Sequence, residues 1–243
     1  MELKDIAMDQ QVILITGAGG ALGAAAAEHC AGLGARLVLL GRTQNKLEAV
    51  YDRIAARGQP LPFLCPLDFA TADATTFERL AASITQEFGT LHGLLHAAAE
   101  RGTPGPVADI EPSEWERVLR VDLSAPFLLT RALLPLLSAH DGSILFVTDR
   151  TGGSPAFRGA YGVAKQGVEN LAKTLAAEWA SSHRLRVNIL SPQPFLSPLR
   201  RRAYPAEHPE HLARAEEFAP SIGNILSPAC RANGEIFPSS ATT

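Results

Sequence analysis

Val12-Ile13-Leu14-Ile15-Thr16-Gly17-Ala18-Gly19-Gly20-Ala21-Leu22-Gly23 is the stretch that decides the fold. Its unbroken apolar start reads as a strand buried on both faces. A glycine turn follows at once and runs directly into an alanine-rich helical pattern. Glycines permit the tight turn, and the helix start presents free N–H groups and a positive dipole end to a pyrophosphate. The G-x-G-x-x-G spacing is not met, because Leu22 stands where its third glycine belongs. Thr-Gly-x-x-x-Gly-x-Gly is met, with Ala21 at the middle glycine. A methyl group there either crowds a phosphate slightly or, if the backbone needs positive φ, costs about 1 kcal/mol. Thr16, Gly17, Gly19, Gly20, Ala21, Leu22 and Gly23 are therefore the first candidate binding residues.

Outward from this unit, short apolar runs bounded by turn residues recur at Leu37–Leu40, Phe63–Cys65, Leu94–Ala97, Ile144–Val147, Val187–Leu190 and Ile236–Phe237, giving seven strands in all. Helical patterns lie between them at Leu22–Leu33, Thr43–Arg57, Ala74–Phe88, Ser113–Leu137 and Gly162–Ala180. Apolar strands alternating with amphipathic helices predict an α/β fold: one doubly wound domain over residues 1–243, with a seven-stranded, mostly parallel sheet covered on both faces. Its ligand crevice should lie at the strand carboxyl ends. On the last helix Val163, Gly167, Val168, Leu171, Leu175 and Trp179 form a stripe expected to pack as core or as a subunit contact. Pro192 to Pro220, rich in proline, arginine and histidine, reads as a substrate loop or lid.

At 243 residues the chain fits a single such domain. A net charge of −3 and 46% hydrophobic residues give no general attraction to nucleic acid or anionic membrane. Cys30, Cys65 and Cys230 are odd in number and lack metal-ligand spacing, so they read as thiols in a reducing compartment and make the cytoplasm the expected location. Met1 to Gln11 holds no secretory apolar segment, and no apolar run approaches the roughly 18 residues of a membrane span.

The second strand ends Leu39-Leu40-Gly41-Arg42. Glycine stands where a dinucleotide-binding fold would use an acid to hold the adenosine ribose, so nothing repels a 2′-phosphate. Arg42 offers that phosphate a bidentate partner, which points to NADP rather than NAD, or else it simply opens a solvated helix. Tyr161 and Lys165 stand one helical turn apart on one face. A cation beside a phenol favours the phenolate, lowering a pKa that is ordinarily near 10 toward a useful range for proton transfer.

Together the glycine turn, Asp68 after the third strand, His96-Ala97-Ala98-Ala99 after the fourth, Tyr161 and Lys165, and Asn188 to Ser197 around the sixth resemble the short-chain dehydrogenase/reductase family, in the style of bacterial oxoacyl-(acyl carrier protein) reductases. The resemblance spans Gln11 to Phe237. It implies a nicotinamide cofactor, NADP, lying across the strand ends and held by the glycine turn, Arg42, Asp68, Phe69, Ala97, Ala98, Lys165, Pro192 and Ser197, with Asp68 touching the adenine. It also implies that Tyr161 exchanges a proton with a small carbonyl or alcohol substrate, that Lys165 assists it, and that hydride passes directly between nicotinamide and substrate. A homodimer or homotetramer is implied as well.

Several positions depart from the family pattern. The family places a serine after the fifth strand. Here Asp149 fills that position counted from Gly142 or Gly152, and Thr148 fills it counted back from Tyr161. Thr148 would keep a hydroxyl donor, whereas an ionised Asp149 only accepts and would oppose phenolate formation, unless Arg150 neutralises it or burial protonates it. Asp122 replaces the family's asparagine, whose main-chain carbonyl holds a proton-relay water. Pro126 has no N–H to bond that carbonyl and so should keep it free. His96 reads as a structural histidine, and Gln193 brings an amide toward the nicotinamide position, to bond it or obstruct it. Arg200-Arg201-Arg202 is either an anion contact or a solvated face, and His208 and His211 lack a second ligand pair for a metal. The expected function is an NADP-dependent oxidoreductase. The alternative is a cofactor-binding sensor or scaffold with little turnover, suggested by the altered serine, asparagine and glycines.

Overall fold

The computed structural model describes residues 7–149 and 156–239. The strands are β1 (Val12–Thr16), β2 (Arg36–Gly41), β3 (Phe63–Pro66), β4 (Gly93–His96), β5 (Gly142–Val147), β6 (Leu185–Pro192) and β7 (Ile236–Ser239). They form one seven-stranded sheet in the order β3-β2-β1-β4-β5-β6-β7. Every pairing is parallel. The helices are α1 (Ala21–Gly32), α2 (Gln44–Ala55), α3 (Ala74–Phe88), α4 (Pro112–Leu119), α5 (Ala125–Ser138), α6 (Gly159–Trp179), α7 (Pro198–Ala203) and α8 (Ala219–Leu226).

The continuous apolar character of the strands has a direct cause, since alternate residues feed two separate cores. Val12, Leu14, Leu94, Ile144, Phe146, Val187 and Ile189 pack with α3, α5 and α6. Ile13, Ile15, Leu95, Leu145 and Leu190 pack with α1, α2 and α8. A strand buried on both faces has no polar side to show. The order turns back between β1 and β4, and that reversal opens the crevice at the carboxyl ends.

Local signals fix the helix ends. Asp73 caps α3 by accepting the Thr76 N–H at 2.8 Å, and Gly89 closes it at φ 69°. The helix expected at Ser113–Leu137 is instead α4 and α5 joined by a π-helical stretch, Arg120–Ser124, in which the Ala125 N–H bonds the carbonyl of Arg120. Pro126 cannot donate to the Asp122 carbonyl, and the wider turn absorbs that defect. Contrary to expectation, the run Pro112–Ser138 is long and apolar enough to cross a membrane, with mean hydropathy 1.3. Arg120 and Asp122 hide this from a search for unbroken apolar runs. Its Val121, Ala125, Leu129, Leu133 and Leu137 are buried in the sheet core. The α6 stripe divides: Val168 and Leu175 are buried, Leu171 and Trp179 are partly buried, and Val163 is exposed. The excursion after β6 is more ordered than a loop, holding α7, two 3₁₀ turns and the start of α8. Helix α8 has no long apolar run of its own, and Phe218 and Ile222 bury it against α1.

Phe146 is fully buried on β5 and stacks on His96 at 4.6 Å with an 11° interplanar angle. Phe146→Ala should lower the free energy of unfolding by about 3–5 kcal/mol, measured by urea denaturation.

Candidate active site

A crevice of about 440 Å³ runs along the strand carboxyl ends. One end is the glycine turn. Gly17 has φ 65°, and a Cβ there would sit 2.7 Å from the Ala98 backbone. A Cβ on Gly19 would sit 2.8 Å from Lys46 Cβ, and one on Gly23 would strike the Gly17 carbonyl. Ala21 is not among the positive-φ residues, so its methyl carries no backbone strain. Gly20 caps α1 with no side-chain hydrogen bond, which leaves the N–H groups of the first turn open to a ligand anion. This cradle fits a dinucleotide pyrophosphate.

Gly19, Gly20, Ala21, Leu22 and Gly23 line the crevice with Gly17, as do Arg42, Asp68, Phe69, Ala97, Ala98, Thr148, Asp149, Tyr161, Lys165, Pro192, Gln193 and Ser197. Two of the expected residues do not. Thr16 is fully buried beneath it, its Oγ1 accepting the N–H groups of Ala97 at 3.1 Å and Ala98 at 3.2 Å. Its role is to join β1 to β4. Asp122 is buried behind the crevice, accepting the Glu100 N–H at 2.6 Å and standing 3.8 Å from Lys165 Nζ. Ser197 also caps α7, accepting the Arg200 N–H at 3.1 Å.

The end of the crevice beside β2 is basic. Arg42 is exposed at the tip of β2, 3.9 Å from Glu100, which binds Arg117 more closely at 2.8 Å. Thr43 and Lys46 join it in the crevice wall. The sequence reading missed Lys46, although its place one turn after Arg42 was a usable signal.

At the other end Tyr161 is 5% exposed. Burial first, and then the charges of Asp149 and Asp122, push its phenol well above the ordinary value, against the opposing pull of Arg101 and Arg158. This differs in direction from the sequence expectation. The Lys165 ammonium lies 5.4 Å from the ring centroid and is drawn to Asp122 and to the Val147 carbonyl at 3.4 Å. A buried Tyr161 is therefore a neutral acid in the protein alone.

The Asp149 charge, with that of Asp122, acts against phenolate formation at Tyr161. Thr148 pairs its N–H with the Leu190 carbonyl at 2.9 Å, and its buried Oγ1 has no hydrogen-bond partner among the described residues. Arg150, the residue expected to neutralise Asp149, lies outside the described residues, as do Thr151 and Gly152. Arg158 approaches Asp149 Oδ2 at 3.1 Å and donates to its carbonyl at 2.9 Å, and Arg101 stands 3.7 Å from the same Oδ2. Arg101 lies between the Tyr161 ring at 4.9 Å and the Tyr204 ring at 4.8 Å. Arg200, locked to Glu207 by two 2.7 Å bonds, also stands over the Tyr204 ring at 4.0 Å. No motif in the sequence announced this arrangement, because Arg101 comes from the loop after β4, Tyr161 from α6, and Arg200 and Tyr204 from α7 and its end.

His96 bonds Thr130 Oγ1 at 2.9 Å through Nε2, while its buried Nδ1 has no partner among the described residues, so it is structural but only half satisfied. Burial, with a smaller push from Lys165, lowers its pKa to about 3. His208 pairs with Glu210 at 3.0 Å. Among the described residues no three histidine, cysteine, aspartate or glutamate side chains gather to hold a metal.

A parallel sheet with its glycine cradle at the order reversal, and a buried Tyr-x-x-x-Lys pair at the strand ends, defines the class of doubly wound dinucleotide-binding folds. The chain belongs to the short chain dehydrogenase family, whose family model matches residues 11–208. It is 34% identical over 219 residues to the uncharacterized oxidoreductase YciK of Escherichia coli strain K12, covering 89% of this chain and 86% of that protein. A solved short chain dehydrogenase from Pseudomonas syringae superposes with a TM-score of 0.93 at 38% identity, covering 98% of this chain and 97% of the other. Another, from Escherichia coli CFT073 and complexed with NADPH, gives 0.89 at 34% identity, covering 97% and 98%.

Asp122 and His96 give stability opposite pH dependences. Burial raises the Asp122 carboxyl to about 6, above its unfolded value near 4, so it favours the folded state at low pH and loses that contribution as pH rises through 6. His96, depressed to about 3, contributes above 6.5 and loses it as pH falls. Asp122→Asn should therefore gain stability relative to the parent by about 2 kcal/mol between pH 4.5 and 7.5, read from paired urea unfolding curves.

Proposed function

We propose that the protein is an NADP(H)-dependent oxidoreductase that moves hydride directly to or from a carbonyl or alcohol substrate, with Tyr161 as general acid/base. The observation that carries this reading is the buried Tyr161–Lys165 pair at one end of a crevice whose other end is an anion cradle. The absence of an acid after β2, with Arg42 and Lys46 in its place, supports NADP over NAD. The NADPH complex of the Escherichia coli CFT073 relative supports the same choice.

The bound dinucleotide supplies hydride to the carbonyl carbon in reduction. The chain's own residues do the rest. Gly17 to Gly23 receive the pyrophosphate, and Arg42 and Lys46 neutralise the 2′-phosphate. Lys165 holds the nicotinamide ribose. Tyr161, kept protonated by burial, gives its phenolic proton to the substrate oxygen, which suits the reductive direction. The main-chain carbonyl of Asp122 serves the returning proton through water. Residues 192–220 act as the substrate lid, Ser197 and Pro192 facing the cofactor and Tyr204 the reacting end. The whole chain works as one catalytic domain, paired in a homodimer or homotetramer in the cytoplasm.

Two measurements test the reading. NADPH oxidation across a panel of ketones and aldehydes should be lost by at least about a thousandfold in Tyr161→Phe, while calorimetric NADPH affinity is kept. Tight NADPH binding with no Tyr161-dependent turnover of any panel member would instead favour a cofactor-binding sensor. Arg42→Ala should weaken NADPH binding about tenfold or more and leave NADH binding nearly unchanged; equal loss for both would refute the 2′-phosphate assignment.

A further inference from the structure

Counted from Gly142, Asp149 stands where the family places its serine, and an ionised carboxylate there would accept hydrogen bonds and could not donate one to a substrate oxygen. A cationic donor lies beside it. Arg101 reaches into the crevice from the loop after β4, and its side chain is 7% exposed. Its Nη2 donates to Tyr204 Oη at 2.6 Å, and its Nη1 stands 3.7 Å from Asp149 Oδ2. A guanidinium carries five N–H groups in a rigid fork, so these contacts orient it without consuming its capacity to donate. Burying a cation is costly unless it is paired, and Asp149 together with the rings of Tyr161 and Tyr204 meets that cost here.

We propose that Arg101 is a catalytic residue that donates the hydrogen bond to the reacting oxygen of the substrate, and that Asp149 is the residue that positions it. The assignment rests on the reading of Tyr161 as the proton donor. In reduction, the carbonyl carbon receives hydride from the reduced nicotinamide dinucleotide, which is thereby oxidised. The C=O π pair moves onto oxygen, and the Tyr161 proton passes to that oxygen. Arg101 keeps all its protons and stabilises the charge as it develops. An always-charged guanidinium does not compete with Tyr161 as the acid, and it attracts electron density on the oxygen more strongly than a neutral hydroxyl does.

Thr148, whose buried hydroxyl has no partner among the described residues and lies in the same wall, is the competing donor. The two are separated with trifluoroethanol, an alcohol whose fluorines disfavour hydride loss, titrated by ¹⁹F NMR into the protein–NADP⁺ complex. Arg101→Ala should weaken trifluoroethanol binding about tenfold, Thr148→Val should change it less than about twofold, and NADP⁺ affinity should stay constant in both. Installing the serine, as Arg101→Ala with Asp149→Ser, should restore binding to within about threefold of the parent, a rescue that a merely structural arginine would not permit. Arg101→Lys keeps the charge that Asp149 faces but loses the fork. It should weaken binding about tenfold as well, and it carries the test if Arg101→Ala does not fold. Binding unchanged in either Arg101 variant, absence of rescue by Asp149→Ser, loss on Thr148→Val alone, or no binding to the parent complex would each overturn the assignment. Failure of the parent to bind NADP⁺ would overturn the functional reading itself, whereas NADP⁺ binding with Arg101-independent trifluoroethanol affinity overturns Arg101 alone.

Discussion

The hydroxyl of Thr16 accepting two main-chain N–H groups, those of Ala97 and Ala98, is the constraint on which the rest of the site depends. β1 and β4 are neighbours only because the sheet turns back between them, and this bond pins their carboxyl ends together just where the chain divides to the two faces. With the ends pinned, the Gly17 backbone lies so near Ala98 that no Cβ fits and φ is positive, two independent reasons for glycine at one position. The first turn of α1 is thereby aimed into the crevice. A buried threonine that touches no ligand thus fixes where a pyrophosphate can be held.

The Tyr161 end of the crevice is governed by a different balance. Tyr161, Lys165, Asp122, Asp149, Arg101 and Arg158 bring three cations, two acids and a phenol into a region with little water. Each charge is tolerable because a neighbour of opposite sign or an aromatic face stands beside it. Lys165 is engaged with Asp122, so the arginines rather than the lysine oppose the effect of burial on Tyr161. Such a group behaves as a unit, and removing one member redistributes the field on the others.

Much of this was legible in the sequence. Apolar runs of two to four residues bounded by turn residues or charges marked all seven strands, because burial on both faces of the inner strands leaves few polar residues to blur the pattern. The glycine turn and Tyr161–Lys165 stood out because they need particular residues at fixed spacing. What stayed hidden was long-range. Thr16 read as a ligand contact because its partners lie some eighty residues away. Arg101, Arg158 and Tyr204 carry no motif, and only the folding of three separate segments toward one another gives them meaning. The π-helical stretch was half visible: Pro126 announced a missing bond at Asp122 but not the extra residue per turn that accommodates it.

Tyr161, Arg101, Tyr204 and Arg200 form a chain of cation–ring contacts, extended by the Arg200–Glu207 pair, that links helix α6 to the segment after β6. Docking of that segment therefore contributes to the burial of Arg101: Tyr204 covers part of a guanidinium whose other neighbours are the Tyr161 ring and the Asp149 carboxylate. A substitution that loosens the segment should accordingly be felt as altered hydration and orientation of Arg101, even where it touches neither ring.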